Sequence, residues 1–360
     1  MSDAAALLAG RRVCVCVGAG GVGKTTTAAA LAVGMAARGR KVAVVTIDPA
    51  RRLANALGLE ALDNEPRLVS AERFGDLEVA DGGELWAMML DPKRTFDDLI
   101  DRVAPTPERA AEIKSNAIYR QLSSAVSGSQ EFTAVEKLYE LAESDYDLLV
   151  LDTPPAHNAA EFLSAPGRLT AFLGGGRLQM LLRPTGFGMR LLELGAVPVL
   201  AALKLVTGVD LVSDLTAFFA LLGGMTDEFS ARAARVAELL RAPETAFVLV
   251  GSAQDRPIEE AIAFRETLRA SQMPFVGAIV NRVNQPLPRG EVALDLPSDL
   301  TRRLSACTAD HAVLATRDAA NIERLRRAFD GEPILRVPDF TEDIHDIAGL
   351  LAIHRELFDD

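Results

Sequence analysis

Lys24, Thr25 and Thr26 directly follow a glycine-dense turn, and few functions other than anion binding need these residue types in this order. Residues 18–26 read G-A-G-G-V-G-K-T-T, which matches the pattern G-x-x-x-x-G-K-[ST]. Glycines let backbone N–H groups approach phosphate oxygens, the lysine supplies a charge for the β- and γ-phosphates, and the first threonine hydroxyl ligates Mg²⁺. We therefore predict a phosphate-binding loop with Lys24 also catalytic and Thr25 also a metal ligand. Its predicted nucleotide-binding residues are Gly18, Ala19, Gly20, Gly21, Val22, Gly23, Lys24, Thr25 and Thr26.

The same turn also satisfies the dinucleotide pattern G-x-G-x-x-G, through Gly18, Gly20 and Gly23. Asp48 then stands at the end of the next apolar stretch, where a ribose-binding acid would lie. Lys24 and Thr25 add a charge and a metal ligand that a pyrophosphate-binding turn does not need. The triphosphate interpretation is therefore favoured, and a nicotinamide-dependent oxidoreductase is the less favoured alternative.

Two aspartates end apolar stretches that are predicted to be strands. Asp48 follows residues 41–47 and can orient an attacking water or hold a metal-bound water, so we predict it to be both catalytic and a metal ligand. The alternative is that Asp48 only caps the helix that begins near Arg51. Asp152 ends L-L-V-L-D, the Walker B arrangement that holds Mg²⁺ through water, and it is the third predicted metal ligand after Thr25 and Asp48.

Two further positions extend the predicted site. Asn281 ends the predicted strand 275–280, where its amide can pair with an adenine edge, although a lone asparagine is more often a loop residue. The sequence T-P-P at residues 153–155 stiffens the chain next to the expected γ-phosphate, which suits a switch segment. His157 is a candidate member of that switch, whereas His345 and His354 show no ligand spacing and are expected at the surface or at the edge of the core.

Short apolar stretches alternate with helical patterns along the chain. Together they predict an α/β fold with a doubly wound, mostly parallel sheet and ligands at the carboxyl ends of its strands. The predicted strands span residues 12–17, 41–47, 84–90, 148–151, 245–250, 275–280 and 333–337. Helix 24–38 is predicted between the first two strands.

Two stretches depart from this alternation, and we predict that they form a helical insert in one P-loop ATPase domain spanning residues 1–360. The predicted core comprises residues 1–95, 143–160 and 235–360, and the predicted insert residues 96–142 and 161–234. Only nine of the 65 residues from 161 to 225 are charged, against 24% of the whole chain. Helices packed on one another, a hydrophobic groove that receives a partner helix, and a membrane-surface contact all account for this depletion.

Composition narrows the classes of function. A net charge of −12 disfavours nonspecific binding to nucleic acid, which needs clustered lysine and arginine. Three cysteines make no disulfide framework, and Cys14 and Cys16 are expected in the core. The first ten residues lack the basic start of a signal peptide, so we expect a cytoplasmic location.

These residues together resemble the ArsA/Get-type ATPases, a branch of the deviant Walker A proteins. The matching segments are residues 18–26, T-I-D-P-A at 46–50, L-D-T-P-P at 151–155, V-N-R at 280–282 and P-D-F-T-E-D-I-H-D-I from residue 338. The resemblance covers nearly the whole chain. It implies a dimer that uses ATP and Mg²⁺, with Asp48 positioning the hydrolytic water, Asp152 supporting the magnesium and Asn281 reading the base.

The chain departs from this family at three places. The family's signature lysine after the first glycine is replaced by Ala19, which implies either pairing with a related lysine-bearing subunit or slow hydrolysis. The metalloid-binding cysteines and the zinc C-x-x-C of family members are missing, so arsenite efflux is disfavoured. His157 and Asn158 replace the family's Gly-His after the switch prolines.

We therefore expect a Mg²⁺-dependent ATPase whose nucleotide state controls a dimer and a hydrophobic helical surface for apolar client helices. The expected partners are ATP, a second copy or a related subunit, and a client helix, with no nucleic acid and at most transient membrane contact. The alternative is a positioning ATPase of the MinD/ParA kind. That function needs a basic surface or tail, whereas this chain ends in two aspartates.

Overall fold

A computed structural model describes residues 3–48, 50–75, 77–116, 119–120, 129–153, 221, 225–287, 297–340, 344 and 346–358. Most of the charge-poor segment 161–225, the proline pair at 154–155 and His157 therefore lie outside the described residues. Within the described part of the chain, no helix is long and apolar enough to cross a bilayer.

An eight-stranded sheet organises the described residues, in the order β3-β4-β2-β5-β1-β6-β7-β8. Neighbouring strands are parallel except β3 and β4, which pair antiparallel. The strands are β1 (Val13–Val17), β2 (Lys41–Thr46), β3 (Arg67–Val69), β4 (Glu84–Met89), β5 (Leu148–Asp152), β6 (Thr245–Ser252), β7 (Phe275–Val283) and β8 (Ile334–Pro338). The predicted α/β class with a mostly parallel sheet is confirmed.

Helices connect the strands within the described part of the chain. They are α1 (Ala4–Leu7), α2 (Lys24–Ala37), α3 (Arg52–Ala56), α4 (Pro92–Val103), α5 (Pro107–Ser115), α6 (Ser129–Ala142), α7 (Thr226–Arg241), α8 (Asp255–Ala270), α9 (Ser298–Ala328) and α10 (Ile347–Leu357), with a 3₁₀ turn at Ala71–Phe74. The predicted first helix, 24–38, ends one residue earlier, at Ala37.

The chain divides into two compact units. The first comprises Met1–Met89, Leu141–Ala159 and Arg241–Asp360, and it contains the sheet. The second comprises Leu90–Glu140 and Ala160–Leu240, and its described part includes α4, α5 and most of α6 and α7. The predicted core and insert boundaries stay a prediction.

The core of the first unit is built around its central strands. Every residue of β1, β5 and β6 is buried, as expected for parallel strands covered on both faces. Cys14 and Cys16 are buried in β1, which confirms their prediction as core residues. Helix α2 is alanine-rich and buried along most of its length, and it packs against the sheet.

Two local predictions were wrong or incomplete. His354 was expected at the surface or at the edge of the core, but it is buried because its ring stacks on Phe358 at 4.9 Å between centroids. The edge strand β3 was not predicted. Arg67 and Leu68 are both exposed, so this three-residue strand carries no apolar alternation to reveal it.

In the described part of the second unit, α4 buries one apolar face and forms an ion pair with α6. On α4, Leu99 and Ile100 are fully buried, whereas Phe96 and Val103 are half-buried. Arg102 forms a 2.7 Å ion pair with Glu140 of α6.

Candidate functional site

The turn between β1 and α2 adopts a backbone that only glycine accommodates at two positions. Gly18 has a φ of +152°, and a Cβ there would lie 2.0 Å from the carbonyl oxygen of Val250. Gly23 has a φ of +93°, and a Cβ there would lie 2.3 Å from Nδ2 of Asn281. Gly23 also precedes α2 without a side-chain cap. The first N–H groups of this helix therefore face the turn, as in anion sites at helix N-termini.

Lys24 lies inside this loop. Its Nζ donates a 2.7 Å hydrogen bond to the carbonyl oxygen of Ala19, and the residue is only 6% exposed. Burial lowers the pKa of Lys24, while the nearby Asp152 charge acts in the opposite direction. The lysine therefore presents a desolvated charge to the space enclosed by the loop.

Asp152 receives hydrogen bonds from two threonines on different elements. Its Oδ2 accepts from the Thr25 hydroxyl at 2.7 Å and from the Thr46 hydroxyl at 2.8 Å. Burial raises the pKa of Asp152 to about 6, although both hydroxyls act against this shift. The other oxygen, Oδ1, is buried and accepts no hydrogen bond within the described residues.

This donor set fits magnesium. Mg²⁺ prefers oxygen ligands, keeps several of its waters and is usually held by one or two carboxylates. The unpartnered Oδ1 of Asp152 is suited to accept a hydrogen bond from such a water, and Thr25 offers a hydroxyl beside it. The described residues contain no group of three histidine, cysteine or carboxylate side chains that would form an all-protein metal cage. A water-rich magnesium site is consistent with that arrangement.

Asp48 is joined to the same network through its backbone. Its N–H donates to the Thr46 hydroxyl at 3.2 Å, so Thr46 links the two predicted acids. The Asp48 carboxylate accepts from the N–H of Ala50 at 2.9 Å and lies 3.5 Å from the Arg52 guanidinium. The residue that caps α3 is Arg51, so the structure does not place Asp48 at the capping position.

Asn281 lies on the other flank of the loop, within β7, which runs three residues beyond the predicted strand. Its Nδ2 donates to the carbonyl oxygen of Val22 at 3.0 Å, and its Oδ1 accepts from the N–H of Arg282. Arg282 has a φ of +54°, and the pairing of β7 with β8 is irregular at this point. The Asn281 amide thus contacts the loop next to this irregularity. Its reading of a base stays a prediction.

The structure thus places Thr25, Asp48 and Asp152 in one network near Lys24, and their roles in catalysis and metal binding stay predictions. Two members of the cluster were missed, Thr46 and Arg52. Thr46 is the last residue of β2, and polar residues at the carboxyl ends of parallel strands are candidates for ligand sites. Arg52 follows Asp48 by four residues, but the two do not lie on one helix, so the helical spacing rule for opposite charges does not apply to them.

The fold and the loop define the class: an α/β protein with a phosphate-binding loop at the carboxyl edge of a mostly parallel sheet. The model of the anion-transporting ATPase family matches residues 11–357, so the chain belongs to that family. The resemblance seen in the sequence is thereby confirmed.

Curated relatives match a shorter part of the chain. The chain is 31% identical to the ATPase get3 of Aspergillus terreus over 151 residues, 41% of this chain and 41% of that protein. It is 30% identical to the ATPase GET3 of Malassezia globosa over 157 residues, 43% of this chain and 42% of that protein. The matched stretches therefore span about two fifths of the length of these relatives.

Proposed function

We propose that the chain is a Mg²⁺-dependent ATP hydrolase. The observation that carries the proposal is the single hydrogen-bonded network that joins Thr25, Thr46, Asp48 and Asp152 at the mouth of a loop containing Lys24. Membership of an ATPase family supports the same activity.

Each residue has a distinct part in this proposal. The loop N–H groups and Lys24 bind the phosphates, while Thr25 and Asp152 would hold magnesium directly and through water. The metal supplies neutralisation of phosphate charge when it is bound. Asp48 orients the attacking water, whose oxygen forms a bond to the γ-phosphorus as the bond to the β,γ-bridging oxygen breaks. ADP and inorganic phosphate are the products.

Phosphate release from ATP by the purified chain tests this function. We expect turnover with magnesium, its loss with a chelator, and its loss in Lys24→Ala. Lys41→Ala is the matched control, because Lys41 pairs with Asp145 away from the loop and its removal should leave turnover intact. Equal turnover in all variants would show a contaminating ATPase and contradict the proposal.

The wider role follows from the sequence. We propose a nucleotide-controlled dimer, formed with a second copy or with a related lysine-bearing subunit, that presents a hydrophobic helical surface to apolar client helices. The related subunit is proposed because Ala19 stands where the family has its signature lysine. The apolar client is proposed because residues 161–225 contain few charged residues. Affinity capture with the Asp48→Asn variant tests both proposals. In the presence of ATP the variant should retain a related subunit or a protein with an apolar helix, and in the presence of ADP it should not.

The location proposed for this protein is the cytoplasm. Cys14, Cys16 and the exposed Cys307 are all free thiols, which suits a reducing compartment. Fractionation of the host cell with an antibody against the chain tests this location.

A further inference from the structure

Arg52 places a second positive charge at the candidate site. Its Nη1 lies 3.5 Å from Oδ2 of Asp48, and its side chain is 64% exposed. Arg52 is the first residue of α3, which packs against α2, the helix that begins with Lys24. The guanidinium therefore lies beside the catalytic acid on a side chain that packing does not lock in one position.

The backbone before Arg52 is in an unusual conformation. Arg51 has a φ of +55°, in the left-handed region that disfavours residues other than glycine. Leu53 and Ala54 immediately after are buried, which fixes α3 in place. Both arginines are exposed, and Arg52 is the one whose guanidinium lies against Asp48. Strained backbone of this kind is concentrated at functional sites.

A second cation has a chemical purpose here. Negative charge spreads over the transferring phosphoryl group during hydrolysis, and an arginine on that group accelerates it. Ala19 brings only a methyl group to the loop, and its carbonyl oxygen holds Lys24. Burial lowers the pKa of Lys24, and the charge of Arg52 acts in the same direction, so the two cations are within electrostatic reach.

We propose that Arg52 is a catalytic arginine supplied by the chain itself. When ATP is bound, its guanidinium leaves Asp48 and contacts the γ-phosphate oxygens. This exchange also frees Oδ2 of Asp48 to accept a hydrogen bond from the attacking water. Arg52 transfers no proton and neutralises charge as the water oxygen bonds to phosphorus and ADP departs. The inference rests on the proposed ATP hydrolysis.

The test compares the native chain with Arg52→Ala, Arg52→Lys and Arg51→Asn. The last is the matched control, since it removes a neighbouring exposed charge while asparagine tolerates the left-handed backbone. We expect Arg52→Ala to lower kcat about 10³-fold. Arg52→Lys should lower kcat less, because lysine keeps the positive charge but lacks the planar guanidinium that can donate two hydrogen bonds at once. Arg51→Asn should have the native kcat. Circular dichroism melts verify that each variant is folded.

A binding measurement separates direct contact from an indirect role. Magnesium ADP with aluminium fluoride imitates the transferring phosphoryl group, and native protein should bind it more tightly than magnesium ADP alone. Arg52→Ala should lose that extra affinity while keeping its affinity for ADP. If Arg52 acted only through Asp48, adding Arg52→Ala to Asp48→Asn would cause no further loss of affinity for the aluminium fluoride complex. Direct contact between Arg52 and the phosphoryl group predicts a further loss of that affinity.

The outcomes distinguish the inference from the function on which it rests. If the native chain hydrolyses ATP and Arg52→Ala does so equally fast, the role of Arg52 is overturned and the proposed ATPase function stands. The same holds if Arg52→Ala binds the aluminium fluoride complex as tightly as the native chain. A native chain that releases no phosphate and shows no preference for the aluminium fluoride complex overturns both.

Discussion

The hydroxyl of Thr46 donates a 2.8 Å hydrogen bond to the carboxylate of Asp152, and this buried contact ties the carboxyl end of β2 to that of β5. The same hydroxyl accepts from the N–H of Asp48. One small side chain thus fixes the relative position of the two acids that the proposed chemistry requires.

Replacing Thr46 tests the importance of this link. Thr46→Val keeps the shape but leaves Asp152 with one donor fewer, so we expect a loss of about 1–3 kcal/mol in the free energy of unfolding. It should also raise the magnesium concentration needed for nucleotide binding. Thr46→Ser keeps the hydroxyl and is the matched control. Urea unfolding and a magnesium titration measure the two effects, and identical behaviour of the valine and serine variants would contradict this role.

The raised pKa of Asp152 predicts a pH dependence of stability in the protein without nucleotide and magnesium. In the folded state the Asp152 carboxyl has a pKa of about 6, above the ordinary 3.8. Protonation of Asp152 therefore stabilises the folded state, and this contribution to the free energy of unfolding is fully present below pH 3.8. It is lost as the pH rises through about 6, and the loss amounts to about 3 kcal/mol. Asp152→Asn does not titrate and should lack this component. The difference between their unfolding free energies should therefore change between pH 4 and pH 7, and a constant difference would refute the shift.

Asn281→Ala distinguishes two roles for that amide. If its hydrogen bond to Val22 supports the loop, the substitution weakens binding of every triphosphate, whatever the base. If the amide reads adenine, it weakens ATP while leaving GTP unaffected. The geometry leads us to expect the first pattern, measured by titration calorimetry with both nucleotides. Asn284→Ala is the control, because Asn284 lies just beyond β7 and bonds Asp318 instead of the loop.

Local sequence patterns predicted the phosphate-binding loop and both acids because the relevant residues are contiguous and their chemistry restricts which types can stand there. The buried parallel strands were equally visible as apolar runs. Thr46 and Arg52 were missed because their roles depend on neighbours from the fold: Thr46 acts on Asp152, 106 residues away. Asn281 was found near the carboxyl end of its strand, but its contact with Val22, 259 residues away, could not be read from any local pattern.

The decisive measurement is single-turnover hydrolysis of magnesium ATP by Asp48→Asn, with the dissociation constant for ATP measured on the same sample. The amide keeps the size of the carboxylate but cannot act as a negatively charged acceptor for the attacking water. Asp145→Asn is the control, since Asp145 is an exposed partner of Lys41. We predict that Asp48→Asn binds ATP as tightly as the native chain and loses turnover by about 10²-fold or more. Native turnover in Asp48→Asn would contradict the assignment of this acid to catalysis.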